Sequence, residues 1–445
     1  NAVNSHKRFG SHKKLINRWI NENPFPMGNG WEPYPVSIRI VNWIKWAIKT
    51  KNCVNFFNDS LYIQSKFLSK NIEYHILGNH LFANAKALLF ASCYFENDES
   101  EKWTTKSMKL LTKELNEQIL DDGGHFERST MYHAIIFEDL LDLINISNTY
   151  SSKFKDWKNE IVFWKKTAKQ MGDWLKGMLH PDGEISFFND AAFKIHTEPK
   201  KLFEYSKKLK INIDKKNKEI NFFKNSGYIK VSKKNMLIII DVASIGPDYL
   251  PGHGHADTLS FELSIFKKRV IVNSGISTYE NNEKRQYERG TESHNTVTID
   301  KKNSSDVWAS FRVANRAYPF NIKINRTQDH ILISASHDGY KKKWGGAIHE
   351  RKWIIKNNSI KIYDKIEGNF SAAKANFFLH PKIIYRKDNL LLKEKNKTIK
   401  IESPYNSLKS FNSTWNFEFG RNLPNICLTL TILKSKPNSL VKIKW

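Results

Sequence analysis

Residues 228–240 read YIKVSKKNMLIII, two short apolar runs, 228–231 and 236–240, on either side of a Lys-Lys-Asn turn. Short runs of strand-forming residues separated by a tight polar turn predict a β-hairpin. Upstream of this stretch the period is different. Ile40, Trp43, Ile44 and Ala47 fall at i, i+3, i+4 and i+7, and Trp164, Ala168, Met171, Leu175 and Met178 keep that spacing, which predicts helices that bury one face. Residues 77–94 and 131–143 are further long apolar segments of helical type. Asp121-Asp122-Gly123-Gly124 precedes one helix and Pro181-Asp182-Gly183-Glu184 follows another, and repeated Asp-Gly corners suit stacked helical hairpins. Downstream the period stays at two: 353–355 and 360–363 flank Asn357-Asn358, and 390–392 is followed by 398–401. Many short strands joined by tight turns predict an antiparallel sandwich. The lysine- and asparagine-rich stretch 207–224 separates the two regimes, so the chain divides into a helical domain over 1–215 and an antiparallel β domain over 216–445.

At 445 residues, with 40% hydrophobic and 26% charged residues, the sequence has the composition of a globular protein with room for two cores. No segment has the apolar length needed to span a bilayer. The net charge of +26 points to an acidic polymer as partner, although heavy use of lysine, asparagine and isoleucine accounts for part of the surplus. Nucleic acid is disfavoured, because no basic run is interleaved with stacking aromatics. Cys53, Cys93 and Cys427 make no closed disulfide framework and no CxxC pair, so buried apolar positions are expected for them. The sequence starts at Asn1 without an apolar leader, and the expectation is a periplasmic or secreted protein whose leader has been removed. Nothing in the sequence reads out an oligomeric state.

Four segments concentrate polar residues in apolar surroundings: Gly78-Asn79-His80, then 122–133 (DGGHFERSTMYH), then His253-Gly254-His255-Ala256-Asp257, and Glu292-Ser293-His294-Asn295-Thr296. In an extended chain alternate residues share a face, so His253, His255 and Asp257 are expected side by side, and His294 could complete a zinc site. A histidine of this kind is equally well a satisfied polar group. Asn79 and His80 read as helix-capping residues when taken alone, Tyr132 as a core aromatic, and Glu127 with Arg128 as an ion pair.

Taken in order, the segments WEPYPVSIRIVNWIKW from Trp31, EYHILGNHLFANAKALLF from Glu73, DGGHFERSTMYH from Asp122, GPDYLPGHGHADTLSFELS from Gly246 and ESHNTV from Glu292 resemble the heparinase II/III-like polysaccharide lyases, related alginate lyases included. The resemblance implies an incomplete α/α toroid followed by an antiparallel β-sandwich, with the active site in the cleft that joins them. It implies that Asn79 and His80 meet a uronate carboxylate, that Tyr132 and His253 are the catalytic tyrosine and histidine, and that an acidic polysaccharide or oligosaccharide is the partner. It requires no cofactor, and where family members carry a structural zinc its ligands align with His255, Asn273 and His294. Asn273 departs from the aspartate usual there, and a neutral amide is the poorer ligand.

The expected reaction is β-elimination at a uronate: the proton on C5 leaves, the oxygen at C4 is expelled, and donors on the carboxylate stabilise the developing charge. An acid and a base flanking the sugar are needed. Tyrosine ionises near pH ~10 and so suits the acid, becoming a base only if Arg128 or the histidines lower that value; neutral His253 suits the base. Glu127 and Arg128 are expected at the substrate, and Tyr279 and Tyr287 are weaker candidates for a second proton donor. Two rivals stand beside this reading. A glycoside hydrolase would draw two opposed acids from Glu127, Asp182, Glu184 and Asp190, and a non-catalytic protein would only bind polyanions.

Overall fold

The structure, a computed structural model, describes residues 9–50, 55–213, 218–392, 397–404 and 407–445. Cys53 and the expected boundary at 215/216 lie outside the described residues, whereas Cys93 and Cys427 are buried free thiols. Helices come first: α1 (Phe9–Glu22), α2 (Pro33–Thr50), α3 (Asn58–Lys70), α4 (Gly78–Tyr94), α5 (Asp98–Gln118), α6 (Thr130–Thr149), α7 (Lys158–Gly177) and α8 (Pro199–Lys208). Antiparallel strands follow. This is the order expected of a helical toroid region leading into a β-sandwich. No helix among the described residues is long and apolar enough to cross a membrane.

By contacts the chain resolves into two units, one comprising Asn1–Gln118 with Glu138–Ala168, the other Ile119–Phe137 with Lys169–Trp445. In the first unit α4 is buried on nearly every side, from Leu81 and Phe82 to Leu89 and Phe90. Its one buried cation, Lys86, is held by Asp139 at 2.5 Å and Asp142 at 2.6 Å, and Lys45 also pairs with Asp142. An isolated charge could not sit there, since burial without a partner costs several kcal/mol.

The second unit contains the strands. β1 (Ile220–Phe223) precedes the hairpin read from residues 228–240, which is present as β2 (Tyr228–Lys233) and β3 (Met236–Asp241), with Lys233 opposite Met236; β4 (Phe261–Ile265) and β5 (Lys268–Ile271) complete a five-stranded sheet. One face of that sheet, with Ile229, Val231, Ile238 and Ile240, enters the main β core. The other, with Tyr228, Leu237 and Ile239, packs on Trp174, Met178 and Phe188. Burial on both faces is why β3 is a continuous apolar run instead of an alternating one. The hairpin at Asn357-Asn358 pairs Ile355 with Ile360, and Leu390 pairs with Ile399 in the same eight-stranded sheet.

The two Asp-Gly corners are one device used twice. Gly123 and Gly183 both have φ of 86°. Asp122 Oδ1 accepts the Gly124 N–H at 3.1 Å and Asp182 Oδ1 the Glu184 N–H at 3.0 Å. Each turn is closed by a β-bridge, Ile119 with His125 and Leu179 with Ile185. At Gly123 a side chain is excluded twice over, by the positive φ and by the Gln170 carbonyl, which would lie 2.3 Å from a Cβ.

Candidate active site

Three segments of the second unit converge. The first is the entry to α6. Ser129 caps it by accepting the Tyr132 N–H at 3.2 Å, and its own hydroxyl donates to the Asp190 carbonyl at 2.5 Å. This places Tyr132 on the first helical turn. The second is 187–190, where Asn189 (φ 57°) accepts the His255 N–H at 3.0 Å and donates to the Arg128 carbonyl at 3.0 Å. The third is the His253–Asp257 loop, anchored by the Asp190 N–H on the His253 carbonyl at 3.1 Å. Arg128 also has positive φ, 58°. Non-glycine residues held in that region cost about 1–3 kcal/mol each, and such strain concentrates where side chains must be aimed.

The side chains then meet. The rings of Tyr132 and His253 stack with centroids 3.9 Å apart and planes at 29°. Tyr132 and Tyr279 hydroxyls are 3.0 Å apart. His253 Nδ1 lies 2.8 Å from Asp190 Oδ2, and His255 Nε2 lies 2.8 Å from Asp190 Oδ1. Arg285 grips both oxygens of the same carboxylate, Nη2 at 2.8 Å from Oδ2 and Nη1 on Oδ1. Burial of Asp190 opposes ionisation, yet the Arg285 guanidinium and the hydrogen bonds from the two histidines hold its carboxyl well below the usual carboxylate range. An ionised Asp190 can only accept, so His253 donates through Nδ1, which in the neutral ring leaves the lone pair on Nε2. Burial pushes the Tyr279 hydroxyl well above its ordinary value, reinforced by the Asp190 charge, so it stays protonated.

The site differs from the sequence reading in several ways. Tyr132 and His253 do not flank a space but lie ring against ring, so they address a ligand from one side. His253 and His255 share Asp190, but Asp257 is not the third member: its carboxylate accepts the Asn189 N–H at 3.4 Å, and burial raises it to about 7. Arg128 donates to the Ser244 and Gly246 carbonyls, not to Glu127, whose carboxylate lies 3.8 Å from His125. Tyr279 touches Tyr132, whereas Tyr287 sits 41% exposed on the short helix Glu283–Arg289. Asp190, Asn189 and Arg285 were not singled out as partners of the histidines; the only trace in the sequence is a polar pair, Asn189-Asp190, inside the apolar run 187–192.

The expected zinc set does not assemble. His255 Nδ1 and His294 Nε2 face each other at 3.2 Å, within hydrogen-bond distance of one another. Asn273 donates its amide to the Phe187 carbonyl at 2.8 Å and accepts from Asn295 at 3.3 Å. Among the described residues no group of three or more His, Cys, Asp or Glu is placed to hold a metal. Two imidazoles and one engaged neutral amide do not fit a zinc ion. Burial lowers His255 to about 4, and it lowers His294 well below its ordinary value, so both rings are neutral and link by hydrogen bond.

In the first unit, Asn79 and His80 lie half-buried in the first turn of α4. Neither is the N-cap, which is Leu77 at φ 64° with no side-chain bond. His80 stacks on Tyr34 with centroids 4.3 Å apart, and its Nδ1 is 3.1 Å from Glu73, which Asn84 also holds at 3.0 Å.

Residues 12–218 match the heparinase II/III N-terminus and residues 215–445 the heparinase II/III-like C-terminal family. A heparin-sulfate lyase of Bacteroides thetaiotaomicron is 26% identical over 345 residues, covering 65% of this chain and 48% of that protein. A heparin-sulfate lyase of Pedobacter heparinus is 24% identical over 318 residues, covering 64% of this chain and 47% of that one. The matched stretch is thus about half the length of these curated relatives. A crystal structure of heparinase III superposes with a TM-score of 0.77 at 19% identity, covering 99% of this chain and 73% of that one, which shows a shared fold. Matched along nearly its whole length by the two halves of one family, the chain belongs to the heparinase II/III-like proteins.

Proposed function

We propose that the protein is a polysaccharide lyase that cleaves a uronate-containing glycosaminoglycan by β-elimination, with Tyr132 and His253 transferring the protons. The observation that carries this reading is the stacked pair itself: an imidazole held through Nδ1 by Asp190, with Nε2 not engaged by that carboxylate, against a phenol. In the proposed step His253 Nε2 takes the proton from C5. The C5–H electrons form the C4=C5 double bond, the C4–O bond breaks, and the departing oxygen receives the Tyr132 proton. Tyr279, itself protonated, can donate to the Tyr132 oxygen as that proton leaves. Asn79 and His80 keep the role of carboxylate donors on the strength of the family resemblance. The relatives named heparin-sulfate lyases favour a heparan-type polymer as substrate.

Two proton-transfer groups on one side favour a uronate whose C5–H and C4–O lie on the same ring face, which is the configuration of glucuronate and not of iduronate. The hydrolase alternative is weakened by its acids. Asp190 is fully buried on Arg285, and Asp182 is bound by Arg269 Nε at 2.7 Å and Nη2 at 3.2 Å. Two opposed, accessible carboxyls are what hydrolysis needs. The test is a panel of purified uronate polymers followed by ultraviolet absorbance, run in isotopically labelled water. Unsaturated product without label supports the lyase, and labelled saturated product overturns it.

A further inference from the structure

Lys230 is out of place for a solvated lysine. It sits in the middle of β2, on the same face as Tyr228, and is 7% exposed. Its ammonium donates to the Lys176 carbonyl at 3.3 Å, near the end of α7, and no ion pair to it is found among the described residues. A carbonyl at a helix C-terminus offsets part of a buried charge, yet an ammonium has three donors and a whole charge to satisfy. Burial, with the nearby Lys176 cation, lowers it to about 8. Buried cations normally have an anion beside them, as Lys86 has in the first unit.

The missing counter-charge has a place to go. Lys230 lines a cavity of about 430 Å³ together with Lys176, Lys233, Lys234 and Lys267, and no acidic residue lines it among those described. Lys233 is bound to Glu219 at 3.0 Å, but the cavity surface itself carries only positive charge. Phe203, Leu179 and Met236 supply an apolar wall. The volume is far larger than a single inorganic anion and falls in the range of small organic ligands, roughly 300–1,000 Å³. Cationic donors beside an apolar wall match a sugar with an acidic substituent, whose C–H face is apolar and whose edge is charged. Lys267 also lines a second cavity, of about 360 Å³, but there Asp182 and Glu184 stand beside Lys268, Arg269 and Lys382, so the lining without acidic residues is that of the Lys230 cavity. None of these residues belongs to the Tyr132–His253 cluster.

We infer that this cavity is a second glycan site, taking a sulfate- or carboxylate-bearing sugar of the acidic polymer, with the anionic group on Lys230. The inference rests on the proposed function for the identity of the polymer, and on the cavity alone for its charge. A free inorganic anion shares the chemistry, so the test separates the two. The full chain carrying Tyr132→Phe is titrated calorimetrically with a heparan sulfate hexasaccharide, then again with Lys230→Met added, or with Lys234→Glu and Lys267→Glu together at the exposed hairpin turns. Two classes of binding are expected in the parent, and loss of one class in each lysine variant, with inorganic sulfate at matched concentration failing to displace it. Unchanged binding in the charge-reversed variant overturns the inference, and so does complete displacement by inorganic sulfate, which would leave an adventitious ion only. If the lyase reading fails instead, the unmodified chain gives no unsaturated product while the lysine-dependent class persists.

Discussion

Two buried clusters in the β unit are built from the same parts. In one, Asp190 holds His253 and His255 and is gripped by Arg285. In the other, Asp364 accepts from His349 at 2.8 Å and from Arg351 at 2.6 and 3.1 Å, with His337 3.3 Å from His349. In both, burial opposes ionisation, and the arginine together with the histidine hydrogen bonds outweighs it and holds the aspartate well below the usual carboxylate range. The wiring differs, since Asp190 binds both of its histidines and Asp364 only one, and so does exposure. His337 and His349 are sealed, whereas the His253 side chain remains 13% exposed and lies against a tyrosine. The same quartet is a staple where it is closed and a candidate site where one edge is open, so a cluster's composition does not by itself announce function.

Substitutions that treat the clusters alike should separate them by readout. The largest contrast is between their tyrosines. Tyr132→Phe should lower turnover roughly 10²–10⁴-fold with glycan affinity nearly unchanged, as expected for loss of a proton-transfer group. Tyr340→Phe removes the hydroxyl that donates to the Val297 carbonyl at 2.7 Å beside His337, and should cost about 1 kcal/mol of stability with turnover intact. Steady-state rates alongside denaturant melts distinguish the two; equal loss of turnover in both variants would erase the contrast.

Next come the aspartates. Asp190→Asn and Asp364→Asn each leave an arginine buried without its anion, and each should cost about 3–5 kcal/mol in denaturant unfolding. Per folded molecule, only Asp190→Asn should also lower kcat, because only it releases His253. A smaller effect follows from His255, lowered to about 4 by burial against ~6.5 for an unperturbed histidine. Below pH ~6.5 the unfolded chain takes up a proton that the folded ring refuses, so stability is full above that pH and falls as pH drops toward about 4. The loss is on the order of 2 kcal/mol by pH ~4.5, read as a falling Tm that His255→Gln should flatten. Smallest, Tyr279→Phe removes the donor to Tyr132 and should slow turnover about tenfold, the cost of one hydrogen bond to a developing charge.

What the sequence disclosed was whatever is local. The hairpin at 228–240, the helical stripes of α2 and α7 and the doubled Asp-Gly corner all depend on residues within a few positions of each other. Tyr132 and His253 were legible because whole segments around them resemble one family. Asp190 and Arg285 were not, since the bonds that give them meaning join residues 63 and 95 positions apart. Lys230 was hidden differently: one lysine in a strand reads as solvated until the burial of both sheet faces is known.

The account turns on Tyr132 and His253 working from one side of the sugar. Matched heparan oligosaccharides that differ only in carrying glucuronate or iduronate at the cleavage position test this most directly. Unsaturated product from the glucuronate compound, and little from its epimer, is the predicted result. Equal or preferred cleavage of the iduronate compound, or no unsaturated product from either, would contradict it.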